Sequence, residues 1–322
     1  MGGSMAEDTI LSIHDAILSN LKKLSVEQSI LEELRIYELY DVARAMADVS
    51  AQLLDDGLDV CEMLQLLSES IELGEYSVSG DTAPTFRRLV EQNHLYVAKG
   101  DRTALVELYI TLCRELERAP DERDFLPELD SDETFTYVRN SLSDEAYDVF
   151  SQDFDDPKVR YSHNFRDAAS AVSSGEVTYC LLPLEERGGV RLHTVSELIF
   201  RNDFKINSVI PVFGVDGNVD MKYALVSKSF TVPKREEDDD TYLEIRLGVS
   251  IDSPLAELFS AVEHFGMSVY RVNTVTFDTE GERETYLSVV IKSSEGDFTP
   301  ILTYMTLFLR DFVPVGIYKN LE

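Results

Sequence analysis

Apolar residues recur at three- and four-residue spacing through the first third of the chain. Ile10, Ile13, Ile17, Leu21 and Leu24 form one stripe, and Ile30, Leu34, Tyr37, Val42, Met46, Val49 and Leu53 form a second. That period puts each set on a single helix face. Ser25 and Gln28 make a capping-box pair that starts the second helix, and Gly57 closes it. Asp59 caps a third helix over 61–73, Pro84 opens a fourth, and Gly100-Asp101 precedes a fifth over 103–118. Residues 6–118 therefore read as a helical bundle, and the acidic, proline-containing stretch 120–132 as the linker out of it.

Beyond the linker the period changes. Strand patterns at 134–138, 158–161, 178–182, 204–212 and 221–227 alternate with helical patterns at 143–152, 165–173 and 194–200. Val215-Asp-Gly-Asn218 is a turn signal that makes the last two strands a hairpin. Strands interleaved with helices predict one open α/β lobe over 134–232. A second acidic linker, 233–240, leads into a βαββαβ order over 241–322. Its first helix begins at Asp252-Ser253-Pro254, and its middle strands flank Thr279-Glu-Gly281. The fold class predicted is α+β and multi-domain: a helical bundle, a single α/β lobe and a ferredoxin-like unit.

Composition narrows the function. A length of 322 residues accommodates two or three cores. The net charge of −31 argues against nucleic acid, which needs a basic surface to replace phosphate counterions, and against anionic membranes. No apolar run approaches the ~20 residues that cross a bilayer. Cys61, Cys113 and Cys180 sit in apolar settings without paired spacing, and read as buried thiols of a reducing compartment. With no signal-peptide pattern at the start, where Met1-Gly-Gly-Ser4 reads as an expression scar, the expected location is cytoplasmic. His14, His94, His163, His193 and His264 are scattered without ligand spacing, so no metal is expected. No Walker loop, dinucleotide fingerprint or nucleophile elbow is present, so no cofactor is expected either. Gly188-Gly189 reads as a turn.

One stretch carries a family resemblance. Thr178-Tyr-Cys-Leu-Leu-Pro-Leu-Glu-Glu-Arg-Gly-Gly-Val190, then a short helix and a second strand, resembles the prephenate dehydratase signature of a strand ending Pro-Ile-Glu-Asn-Ser before Gly-x-Val. The ending Pro314-Val-Gly-Ile-Tyr318 is similar to the Leu-Gly-Ser-Tyr ending of the ACT domains in that family. The order of lobe, then βαββαβ unit, matches too, so the resemblance covers 134–322 and leaves the helical region without a counterpart. It implies that the lobe is half of a prephenate dehydratase domain and that 241–322 is an ACT domain. The chemistry implied is conversion of prephenate to phenylpyruvate in L-phenylalanine biosynthesis.

Position by position, the match is partial. Tyr137-Val-Arg-Asn-Ser-Leu-Ser143 stands where the family has Gly-Pro-x-Gly-Thr-Tyr-Ser: Ser143 fits, while Tyr137 and Asn140 fill glycine positions. Glu185 fits the second signature, but Glu186 and Arg187 replace Asn and Ser. Lys222 stands near the family's Thr-Arg-Phe, whose Arg holds a carboxylate, and lacks the guanidinium fork. The family's second lobe is missing, since only 212–219 join the two hairpin strands. If active, the implied catalytic set is Ser143, Glu185 and Lys222. The ACT ligand motifs become Ser253-Pro-Leu-Ala256 and Asn273-Thr-Val-Thr276, which leaves Ser253, Leu255 and Asn273 as candidate contacts for an aromatic amino acid. The resemblance implies a homodimer through the ACT sheets, and the helical region is left as a module for a protein partner or for dimerisation. The expectation is a non-catalytic, regulatory or small-ligand-binding protein of aromatic amino-acid metabolism, and the alternative is an active prephenate dehydratase. Convergence of Ser143, Glu185, Lys222 and His193 in one pocket would separate them.

Overall fold

The computed structural model describes residues 34–73, 84, 86–88, 101–126, 133–233, 240–249, 255–279, 282–294, 296–309 and 311–319. The first helical stripe, the Ser25–Gln28 cap, most of the helix from Pro84, Ser253 and much of both linkers lie outside these residues. The chain divides into two compact units, one of residues 1–56 and 69–119, the other of 57–68 and 120–322.

In the first unit, helix α1 (34–55) buries Leu39, Val42, Met46, Val49 and Leu53. Helix α2 is Val60–Leu73, of which residues 69–73 belong to this unit and 60–68 to the second. Helix α3 (Arg102–Glu115) buries Leu105, Val106, Tyr109, Ile110 and Cys113. The Ser50 hydroxyl donates to the Met46 carbonyl at 2.9 Å and lies 2.8 Å from the Tyr109 hydroxyl, joining α1 to α3. Gly57 closes α1 with φ of +98°, a conformation only glycine adopts cheaply. Leu34 and Tyr37, which the sequence stripe places in the core, are exposed. Leu39 carries the buried face instead, because a 3.6-residue period traced back from Val42 and Met46 drifts past them.

The second unit is a ten-stranded sheet. Its elements are β1 (Thr134–Val138), α4 (Ser141–Phe150), β2 (Lys158–Ser162), α5 (Phe165–Ser173), β3 (Tyr179–Glu186), β4 (Val190–Arg191), α6 (His193–Arg201), β5 (Lys205–Phe213) and β6 (Val219–Ser227). They continue as β7 (Thr241–Gly248), α7 (Leu255–His264), β8 (Ser268–Thr279), β9 (Glu282–Ser293), α8 (Thr299–Phe308) and β10 (Phe312–Tyr318). The strand order is β2-β1-β3-β6-β5-β10-β7-β9-β8, with β4 added beside β3. Strands β1, β2 and β3 are parallel, and β6 joins β3 and β5 antiparallel. The segments 134–232 and 241–322, separate in the sequence reading, share this sheet.

Their junction is β10. It pairs antiparallel with β7 along its length and touches β5 in parallel at Gly316 opposite Ile206. A Cβ on Gly316 would lie 2.8 Å from the Ile206 Cβ and closer still to the Ile206 carbonyl oxygen, so only glycine permits the approach. The β3 run is buried from Tyr179 to Glu185 because helices cover both faces. One face packs on α4 through Phe135, Tyr137, Tyr179, Leu181 and Tyr223. The other packs Leu182, Leu184 and Ala224 against α5 and α6, and also against Val275 and Phe277 of β8. The register slips between Pro183 and Glu185 where β3 pairs with β6. Leu184 is the extra residue of that bulge, so Glu185 lines up opposite Lys222 and turns to the α5/α6 face instead of the α4 face.

Candidate functional site

The two ends of the predicted catalytic set lie on opposite faces. Ser143 sits in the first turn of α4. Asn140 Oδ1 accepts from the backbone N–H groups of Leu142 and Ser143, both at 3.0 Å. The Ser143 Oγ accepts from the Asn140 N–H at 2.8 Å and faces the carbonyls of Val138 and Asn140 at 2.9 and 3.0 Å. This reciprocal cap satisfies the amides that a helix N-terminus otherwise offers to an anion. Tyr137, at the other glycine position, is buried, and its hydroxyl donates to Asp144 at 2.8 Å. Burial, then the bond to Asp144, pushes the Tyr137 pKa up.

Glu185 and Lys222 are brought together on the opposite face, with the ammonium 3.8 Å from Glu185 Oε2. They belong to a larger network. Glu185 pairs with Arg271 of β8 and, at 3.4 Å, with Arg191 of β4. Arg191 Nη2 donates to both oxygens of Glu244 on β7, at 2.7 and 2.5 Å. Glu244 also accepts from the Ser288 hydroxyl at 2.8 Å and the Tyr318 hydroxyl at 2.7 Å. Burial alone lowers the Arg191 pKa, but the charges of Glu244 and Glu185 outweigh it and hold the guanidinium more basic than usual. Burial and the neighbouring Glu244 push the Tyr318 phenol well up, so it serves only as a donor.

The sheet curls far enough for β3 and β8, six places apart in strand order, to meet across this network. Side-chain exposure is graded: Glu185 0%, Glu244 1%, Arg191 7%, Lys222 10% and Arg271 18%. Within and beside this network, Glu185 Oε2, Arg191 Nε and Asn273 Nδ2 have no hydrogen-bond partner among the described residues.

The other candidates scatter. His193 opens α6 and is exposed, as is His163. His163 lines a separate cleft of about 300 Å³ with Arg160, Asp167 and Glu176. Asn273 pairs in register with Ser288, and so shares the sheet face of Glu244 and Arg271. Leu255 begins α7, apart from that network. Cys113 and Cys180 are buried, while Cys61 is only partly so and donates to the Asp124 carbonyl at 3.0 Å. Among the described residues, no three His, Cys, Asp or Glu side chains gather as metal ligands. No helix there is long and apolar enough to cross a membrane.

Sequence reasoning missed Arg191, Glu244, Arg271, Ser288 and Tyr318 as a group. In Tyr242-Leu-Glu-Ile-Arg246 the alternation reads Glu244 as solvated. Instead α6 and β4 cover that face, and the polar positions become interior. The signal was a Gly pair before Arg191 and a tyrosine ending β10, each in a segment that the resemblance had already marked.

No family model matches the chain, and no curated protein matches it in sequence. Solved structures similar to it include a prephenate dehydratase from Streptococcus mutans, at 15% identity and a TM-score of 0.46, covering 58% of this chain and 98% of that one. Another is a prephenate dehydratase in complex with L-Phe from Arthrobacter aurescens, at 12% identity and 0.43, covering 58% and 90%. A third, the prephenate dehydratase from Staphylococcus aureus, aligns at 8% identity and 0.41, covering 58% and 100%.

Proposed function

We propose that this chain is a non-catalytic protein built from prephenate dehydratase-like and ACT-like parts, which binds a small aromatic acid or amino acid in a regulatory role. One observation carries the reading: the groups that would have to act together are divided. Ser143 is held in a helix cap on the α4 face, while Glu185 and Lys222 are held in ion pairs on the other. Dehydration needs an acid at the leaving hydroxyl and a cation at the carboxylate in a single cleft. The strand order β10-β7-β9-β8 with two helices between strands supports the ACT-like assignment of 241–322. A homodimer through these sheets, and a protein partner for the helical unit, belong to the same proposal.

The alternative, a working prephenate dehydratase, is favoured by the Glu185–Lys222 pair at the carboxyl end of β3. The experiment that decides is a phenylpyruvate assay with prephenate, run beside calorimetric titration with L-phenylalanine, L-tyrosine, L-tryptophan and phenylpyruvate. Binding without turnover is expected. Turnover that is lost in Lys222→Ala would replace this reading with the enzyme.

A further inference from the structure

We infer that the rim of the buried ion network, formed by Arg271, Asn273 and Lys222, is the binding site for the carboxylate of a small organic acid. This deepens the ligand-binding reading above and rests on it. In the network Arg191, Lys222 and Arg271 engage the carboxylates of Glu185 and Glu244. Its carboxylates are sealed, and its cations are the members that reach solvent, Arg271 most of all. An approaching solute therefore meets the cationic side chains before the carboxylates, in a chain whose net charge is −31.

The donors left over point the same way. Arg191 Nε and Asn273 Nδ2 are buried N–H groups without acceptors, and such groups are rare unless something absent completes them. Arg271 engages Glu185 through Nη1. Its Nη2 lies beside the Gly188-Gly189 turn, 3.6 Å from where a Gly189 Cβ would stand. Both glycines have positive φ, +86° and +76°, and neither puts a side chain over the guanidinium. Arg271 and Asn273 are two residues apart on β8 and so face the same way. A carboxylate set between them would take one hydrogen bond from each, with Lys222 as a nearby charge.

The test is calorimetric titration of the full chain with L-phenylalanine, phenylpyruvate and inorganic phosphate, repeated in Asn273→Ala and Asn273→Asp. Asn273 is uncharged, so Asn273→Ala leaves the charges of the network unchanged, while Asn273→Asp sets a carboxylate of the chain's own beside Arg271. Carboxylate binding is expected to weaken about tenfold in Asn273→Ala, as the loss of one charge-assisted hydrogen bond implies, and to disappear in Asn273→Asp, where like charges oppose. Preference for L-phenylalanine or phenylpyruvate tells an amino acid from a keto acid, while phosphate binding alone would overturn the carboxylate assignment. Carboxylate binding that is unchanged in Asn273→Asp would overturn this site and leave the ligand-binding reading standing. Absence of binding by every probe would overturn both. Should either variant unfold, hydrogen exchange on the unaltered protein replaces it: ligand must protect β8 and the β3–β4 turn, and protection elsewhere refutes the site.

Discussion

The two faces of the α/β sheet handle polar groups in opposite ways. On the α4 face, Asn140 and Ser143 close each other's hydrogen bonds and Tyr137 finds Asp144. The remainder is aromatic: Phe135 lies 4.8 Å from Phe154 and 5.1 Å from Tyr179, ring centre to ring centre. On the α5/α6 face five charges are linked, and three polar atoms stay unmatched. The first face is finished by the chain itself. The second leaves two donors and one acceptor unmatched, and a face in that state has something to offer a ligand.

The sharpest way to break this contrast is Arg191→Ala. It strands the Glu244 carboxylate in the interior, and should cost about 3–5 kcal/mol in urea unfolding. A loss under 1 kcal/mol would mean that the network is solvated and the contrast between faces is false. Next is Gly316→Ala, whose methyl collides with Ile206 where the two parts of the sheet meet; a loss of about 1–3 kcal/mol is expected. Asn140→Ala removes a helix cap, with the bonds of its side chain to Tyr223 and Val138, and should cost about 1–2 kcal/mol, without creating an anion site on α4. If that variant gains affinity for phenylpyruvate, the α4 face is a plugged ligand site instead of a finished one.

The smallest effect concerns pH. Burial pushes the Cys61 and Cys113 thiols up to about 11, from an ordinary 9.0. Between those values the unfolded chain releases thiol protons that the folded chain keeps, so stability should fall as pH rises through that window. Urea midpoints at pH 8 and pH 10 should differ less in the Cys61→Ser, Cys113→Ser double variant than in the parent. Equal differences would place both thiols in open solvent.

Much of the architecture was legible because each element carries its own period. The hairpin β5–β6 was announced by Asp216-Gly217, and α5 by its alanines between Asn164 and Gly175. What could not be read was the union of the two strand-bearing segments, since one close approach at Gly316 decides it and no local pattern encodes its partner, Ile206. The site suffered from the same cause. Glu185 and Lys222 were identifiable from the resemblance, but a one-residue bulge at Leu184 sets the face they occupy. Arg271, contributed from 86 positions downstream, is invisible to any window of sequence.

Strand β10 follows every other strand in the chain, yet it lies at the middle of the sheet. During synthesis, β5 and β7 are therefore both open edges until residues 312–318 leave the ribosome. Those edges carry Ile206, Val209, Leu243 and Ile245, all buried once the sheet is complete. Sheet closure then waits on contacts more than a hundred positions apart, the slowest kind to form. In that interval the nascent protein offers two apolar templates to any neighbouring chain, so its burden on chaperones lasts until β10 has emerged and paired.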